Sequence, residues 1–287
     1  MVEHLTPGGE AVAGPALLEV RGVAVSFGAV RAVEEATLQV ADGAFASLIG
    51  PNGAGKTSLL HAISGFHRPS AGEIRFGGRR IDGRPPHRIA AAGVVRTFQR
   101  GRVFPRLSCL DNMRLGSKDH PGERFLANIA RPGARRRREA EITGQAHELL
   151  AAVGLEAKAG ELAGTLSGGQ RKLLEFARAL MSEPRLVLLD EPMAGVNPTT
   201  GRHLMERIAE LHASRGLTVF FVEHQLDVVM EMSDHVVVMA GGRVISAGPP
   251  ALVRADQAVQ DAYLGAWERG RAPADRAAGA GLTGAGG

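Results

Sequence analysis

The sequence predicts an α/β fold: a run of buried strands punctuated by helices, an antiparallel β flank and an inserted helical subdomain. Short apolar runs recur along the chain, at Ala44 to Ile49, Leu186 to Leu189, Leu217 to Val222 and Val236 to Met239, as strands buried on both faces require. The first strand differs, since Leu18, Val20, Val23, Val25 and Phe27 stand at mostly alternate positions, the pattern of a half-buried antiparallel edge. The span from about 101 to 165 breaks the rhythm, with a helical pattern through Ala146 to Val153 and no convincing strand.

Each part of the chain follows from that frame. With 287 residues, 44% of them hydrophobic, the chain is long enough for one large domain or a domain with a subdomain. Residues 1–15 carry Gly8, Gly9, Gly14 and Pro15 without periodicity, and residues 269–287 form a Gly/Ala-rich tail. Both ends are expected to be disordered, leaving 16–268 as the folded unit. Ala44 to Ile49 reads as a central strand, and Val236 to Met239 followed by Gly241-Gly242 and Val244-Ile245 reads as a hairpin.

Charge and cysteine content narrow the function. The 34 basic and 30 acidic residues leave a net charge of only +4, weak support for a nucleic-acid binder, which concentrates basic charge on one face. Arg135 to Arg138 read as a solvated charged face, with nucleic acid or lipid headgroups as the other readings. The single cysteine, Cys109, excludes an intramolecular disulfide and a Cys-based zinc cluster, fits a reducing cytosol and is expected to be a partly buried thiol. No apolar run approaches the roughly 18 to 20 residues that span a bilayer, and the N-terminus lacks the basic-then-apolar pattern of a signal peptide. Any membrane role therefore goes through a partner.

The chemistry starts after the central strand. Gly50-Pro51-Asn52-Gly53-Ala54-Gly55-Lys56-Thr57 matches the P-loop pattern and opens a helix carrying Leu59, Leu60 and Ile63. Glycines let backbone N–H groups turn toward phosphate oxygens, the helix N-terminus adds positive potential, Lys56 neutralises charge and the Thr57 hydroxyl suits Mg²⁺. Ser58 follows on the same first turn. The alternative, a Gly-rich turn with an incidental lysine, lacks a reason for the strand, loop and helix context.

Two acids end the next buried strand. Asp190 and Glu191 follow Leu186-Val187-Leu188-Leu189 at the carboxyl end, where ligands of open α/β sheets collect. Asp190 suits Mg²⁺, and Glu191 suits polarisation of the water that attacks the γ-phosphate; acids capping a helix are the alternative. A later strand delivers His224 to the same sheet edge, to hydrogen-bond the γ-phosphate and hold the attacking water. Gln99, in Arg96-Thr97-Phe98-Gln99, is a polar contact for Mg²⁺ and water at the mouth of the insertion. Finally, Leu166-Ser167-Gly168-Gly169-Gln170 places Ser167 as an N-cap before a helix, a second anion site that one nucleotide does not need from one chain. A head-to-tail pair explains it: the serine-glycine helix of one protomer closes over the nucleotide in the P-loop of the other.

This combination, in this order, resembles the ATP-binding cassette family over about 17 to 265. The resemblance implies a P-loop NTPase with a RecA-like core, an antiparallel β subdomain and a helical subdomain, using ATP and Mg²⁺. It places Phe27 where the family stacks an aromatic on adenine; a core residue at a strand end is the other reading. Asn197 in Pro192-Met193-Ala194-Gly195-Val196-Asn197-Pro198 stands where most cassettes carry aspartate. With Val95-Arg96-Thr97-Phe98-Gln99, Val222-Glu223-His224 and Ala262-Tyr263-Leu264-Gly265, it is similar to cassette subunits of branched-chain amino-acid importers. That resemblance implies a peripheral ATPase at the cytoplasmic face of the membrane, a second cassette as partner with a heterodimer expected, transmembrane permease subunits, and a solute-binding protein met only indirectly. Nucleic acid is not expected as a partner. Coupling helices of the permease would sit near Gln99 and the segment 100–112, with Arg102, Phe104 and Leu107 as contacts. Urea or amide uptake, an exporter, and a soluble cassette acting on ribosomes or DNA are the alternatives.

Overall fold

The computed structural model describes residues 14–97, 103–118 and 132–270. Its strands are Ala16–Phe27 (β1), Val30–Ala41 (β2), Phe45–Ile49 (β3), Ala71–Phe76 (β4), Arg79–Arg80 (β5), Val94–Arg96 (β6), Leu186–Asp190 (β7), Thr218–Val222 (β8), His235–Ala240 (β9) and Arg243–Gly248 (β10). They join in the order β5-β4-β1-β2-β10-β9-β3-β8-β7-β6. The run from β9 to β6 is parallel, and β5, β4, β1 and β2 pair antiparallel. The predicted hairpin is present as β9 and β10.

The parallel strands explain their own sequences. In β8, Val219 and Phe221 enter one core while Phe220 and Val222 enter the other. β7 divides Val187 and Leu189 from Leu186 and Leu188 in the same way. A strand buried on both faces has no solvent side on which polar residues could alternate. One core is closed by Leu59, Leu60 and Ile63 of the helix Lys56–Ile63, together with β1, β2 and β4. The other is closed by the helices Pro132–Ala152, Gly168–Leu180 and Pro198–Arg215, through Ile142, Leu174 and Met205 among others. Burying a side chain such as Phe220 or Leu188, each 0% exposed, stabilises by roughly 1.5–3 kcal/mol.

Two expectations are corrected. β1 is not an edge, because β2 flanks it on one side and β4 on the other. The pattern of β2 hid it: Glu34, Glu35 and Gln39 interrupt Val33, Ala36, Leu38 and Val40, and bulges shift its register to β1, which blurs the alternation on which a strand is recognised. Cys109 is fully buried at 0% exposure instead of partly so, and burial pushes its thiol up from the ordinary value.

In the insertion, the helices Cys109–Arg114 and Pro132–Ala152 pack against each other and against the helix Gly168–Leu180. Ser108 caps the first, its hydroxyl accepting from Asp111 N at 3.0 Å. Arg136, Arg137 and Arg138 are exposed, and Arg138 reaches Glu141 at 3.2 Å, as a solvated charged face does. No helix among the described residues is long and apolar enough to cross a membrane.

Candidate functional site

The loop after β3 is built by close approach. Gly50 leaves the strand at φ 147° and Gly55 precedes the helix Lys56–Ile63 at φ 99°. A Cβ on Gly50 would lie 2.0 Å from the Met239 carbonyl oxygen, and one on Gly55 would lie 2.4 Å from that of Ala32. Both positions therefore require glycine for space as well as for backbone conformation. Pro51, Asn52, Gly53 and Ala54 complete the turn, closed by Ala54 N donating to Pro51 O at 3.2 Å. No side chain caps the helix, so its first N–H groups face the turn as donors for an anion. Thr57 and Ser58 sit in that first turn. Lys56 is 6% exposed, and its ammonium donates to Gly50 O at 2.7 Å and Pro51 O at 3.0 Å. Burial pushes its pKa down, opposed by the nearby charges of Glu191 and Asp190.

The two acids arrive from β7. Asp190 is the last residue of that strand and 3% exposed. Arg96 Nη2 donates to its Oδ2 at 2.6 Å, while Asp190 Oδ1 is buried without a hydrogen-bond partner. Glu191 adopts φ 51°, a left-handed conformation that costs a non-glycine residue about 1–2 kcal/mol. Its N–H donates to Val222 O at 3.0 Å, which fixes the turn to the end of β8, and its Oε1 lies 2.7 Å from His224 Nε2. β7 and β8 thus bring Glu191 and His224 into direct contact across one sheet edge.

Beneath that pair lies Glu223, 4% exposed. Its carboxylate accepts from Met193 N at 2.7 Å and His224 N at 3.1 Å. It joins the loop after Glu191 to the residue carrying the imidazole. Burial pushes its carboxyl above the usual range, and the backbone donors partly offset this. Lys172, on the helix Gly168–Leu180, donates to Glu191 O at 3.4 Å; burial lowers its pKa, opposed by Glu175, Glu223 and Glu191.

The serine-glycine segment forms as read. Ser167 caps the helix Gly168–Leu180 in a reciprocal box: Gln170 N donates to Ser167 Oγ at 3.3 Å and Ser167 N to Gln170 Oε1 at 3.0 Å. Among the described residues, no hydrogen bond joins Ser167 to Gln170 with the P-loop. Ser167, Gly169 and Gln170 instead line a cavity of about 310 Å³ with Thr200, His203 and Arg207. Asn197 caps the neighbouring helix Pro198–Arg215, its Oδ1 accepting from Thr200 N at 2.8 Å.

Phe27 is 47% exposed at the end of β1, so the core reading fails. Its ring lies 4.3 Å from that of His67. Gln99, Arg100 and Arg102 lie outside the described residues. Phe104 is 51% exposed, whereas Leu107 is half-buried. The structural parts played by Arg96, Lys172 and Glu223 were not legible in the sequence, because each depends on which strand end or helix faces it. The only trace was their position beside Gln99, the serine-glycine segment and His224.

The sequence pattern that defines the family described as "ABC transporter" matches residues 33–194. A second, described as "Branched-chain amino acid ATP-binding cassette transporter", matches residues 243–266. The chain is 41% identical over 249 residues to the high-affinity branched-chain amino acid transport ATP-binding protein BraF of Pseudomonas aeruginosa, covering 87% of this chain and 98% of the relative. It is 34% identical over 249 residues to the high-affinity branched-chain amino acid transport ATP-binding protein LivG of Escherichia coli K12, with the same coverage. Among solved structures, a nucleotide-free cassette from an ABC transporter superposes with a TM-score of 0.74 at 32% identity, covering 87% of this chain and 99% of that one. An ADP-bound cassette superposes with a TM-score of 0.73 at 30% identity, covering 88% and 99%.

Proposed function

This chain belongs to the ABC transporter family, and on that premise we propose that it is the ATP-hydrolysing subunit of an importer for branched-chain or related amino acids. The class of solute is supported by the pattern matched at residues 243–266. The hydrolytic role is supported above all by one contact, Glu191 Oε1 to His224 Nε2 at 2.7 Å, at the strand ends beside the P-loop.

The phosphates of ATP fit the donors of Gly53 to Lys56, and Phe27 offers an exposed ring for adenine. Mg²⁺ fits the same place, since Asp190 Oδ1 is a buried acceptor lacking a partner and Thr57 stands in the first turn of the helix. Thr57, Asp190 and Gln99 would hold the ion, which neutralises charge on the β- and γ-phosphates when bound. Glu191 polarises the attacking water, and His224 orients Glu191 and donates toward the γ-phosphate. Lys56 follows the developing phosphate charge. Ser167 to Gln170 serve the nucleotide of a partner cassette, which is why they cap an outward helix end apart from this chain's own P-loop. Closure of the pair by ATP and release by hydrolysis move the permease. The protein then acts at the cytoplasmic face of the membrane, attached through permease subunits and paired with a related second cassette.

Steady-state ATPase activity of wild type beside Glu191→Gln, with size-exclusion chromatography in Mg·ATP, tests this reading. The variant should lose about 10²–10⁴-fold in turnover and elute as an ATP-dependent dimer. If wild type is inactive alone, co-expression with a second cassette and permease should restore leucine-stimulated turnover, and failure to do so sinks the transporter reading.

A further inference from the structure

Arg96 and Asp190 stand at the carboxyl ends of the neighbouring parallel strands β6 and β7, with side-chain exposures of 4% and 2%. In the register of the two strands Arg96 lies beside Leu188, so its guanidinium reaches up the adjacent strand to meet the carboxylate. Nη2 donates to Oδ2 at 2.6 Å, Nη1 reaches Ser64 Oγ at 3.4 Å, and the guanidinium carbon lies 6.0 Å from the centre of the Phe66 ring. The end of β7 and the turn after the helix Lys56–Ile63 therefore hold the arginine between them.

The pair is lopsided. Arginine and carboxylate commonly meet through two parallel hydrogen bonds. Here one oxygen takes the guanidinium, while Asp190 Oδ1 and Arg96 Nε are buried without partners. Each such orphan costs roughly 1–3 kcal/mol, so an ion pair serving stability alone has no reason for this geometry. A carboxylate anchored through one oxygen and presenting the other is the arrangement by which outer residues orient a metal-binding carboxylate.

We propose that Arg96 is a positioning residue for magnesium: it grips Asp190 Oδ2 from β6 and thereby aims Oδ1 at the cation that accompanies ATP. This rests on the reading of Asp190 given above.

The test titrates Mg²⁺ against binding of a fluorescent ATP analogue to the purified chain, beginning from EDTA, for wild type, Arg96→Met, Arg96→Lys and Asp190→Asn. Wild type should bind more tightly as Mg²⁺ rises. Arg96→Met should raise the half-saturating Mg²⁺ concentration by about 10–100-fold, as loss of outer-shell partners does, with binding in EDTA unchanged. Arg96→Lys should recover part of the shift, and adding Arg96→Met to Asp190→Asn should cause no further shift. A midpoint unchanged or lowered in both arginine variants overturns the proposal, a lowered one meaning that arginine and metal compete for Asp190. Should Arg96→Met fail to fold, Arg96→Lys carries the decision, since an ammonium that cannot hold Asp190 and Ser64 together as the guanidinium does still shifts the midpoint upward if the role is positional. A wild type insensitive to Mg²⁺ overturns the reading of Asp190 itself, a distinguishable outcome.

Discussion

Glu223 shows how a single residue ties the Glu191–His224 pair to the fold. Its carboxylate receives Met193 N and His224 N, so one side chain sets the distance between the loop after Glu191 and the imidazole that contacts Glu191. Burial raises its pKa above the ordinary 4.5. Because the folded protein holds this proton more tightly than the unfolded chain, the contribution is most favourable below pH 4.5 and is lost as pH rises through the folded value. Glu223→Gln, which cannot ionise, should remove this slope. Urea midpoints measured from acid to neutral pH should therefore converge or cross as pH rises, with wild type losing ground to the variant. Parallel curves would mean that Glu223 has the same affinity for protons in both states. The place of His224 at the sheet edge was legible from its position after an apolar strand; the burial of Glu223 was not, since a glutamate one residue away reads equally well as solvated.

At the scale of elements, helix ends carry the function. The helix Lys56–Ile63 has no side-chain cap, the opening on which the proposed phosphate site rests, whereas Ser167 and Asn197 cap the helices Gly168–Leu180 and Pro198–Arg215. The cap explains how asparagine serves where most cassettes are read to carry aspartate: the Oδ1 acceptor for Thr200 N is kept, and only the charge is lost. Asn197→Ala should lower stability by about 0.5–2 kcal/mol in chemical denaturation, while Asn197→Asp should stay near wild type. An equal loss in both would show that the amide group, not the acceptor oxygen, matters. The capping serine was readable because an N-cap followed by small residues is a local signal. The packing of Gly169 against Thr200, where a Cβ would come within 2.4 Å of the methyl carbon, was not, since it joins distant segments.

For the whole molecule, the question is where chemical energy leaves the ATPase. Asn112, 0% exposed, clamps the preceding loop: its Oδ1 accepts from Phe104 N at 2.7 Å, and its Nδ2 donates to Phe104 O at 3.0 Å and Ser108 O at 2.9 Å. The clamp holds the backbone at Phe104, whose ring is exposed and lies 5.6 Å from the Arg178 guanidinium. We infer that this exposed ring is one of the side chains a permease helix meets in the assembly proposed above. Phe104→Ala should leave the stability and basal ATPase of the isolated chain near wild type and reduce recovery of permease subunits in detergent pull-downs. Undiminished recovery would move the docking surface elsewhere.

The sequence by itself determined the central α/β architecture, the glycine-rich turn before a helix, the places of Asp190, Glu191 and His224 at strand ends, the capped serine-glycine helix and the family. Each of these is written in short-range order: a continuous apolar strand, a turn that demands glycine, a cap followed by a helix. Tertiary structure alone decided that β1 lies between β2 and β4, that Glu191 touches His224, that Glu223 is buried beneath them and that Arg96 grips Asp190. These contacts join residues far apart in the chain, and which strands become neighbours is fixed by the burial of both sheet faces together, a property that no local window of sequence contains.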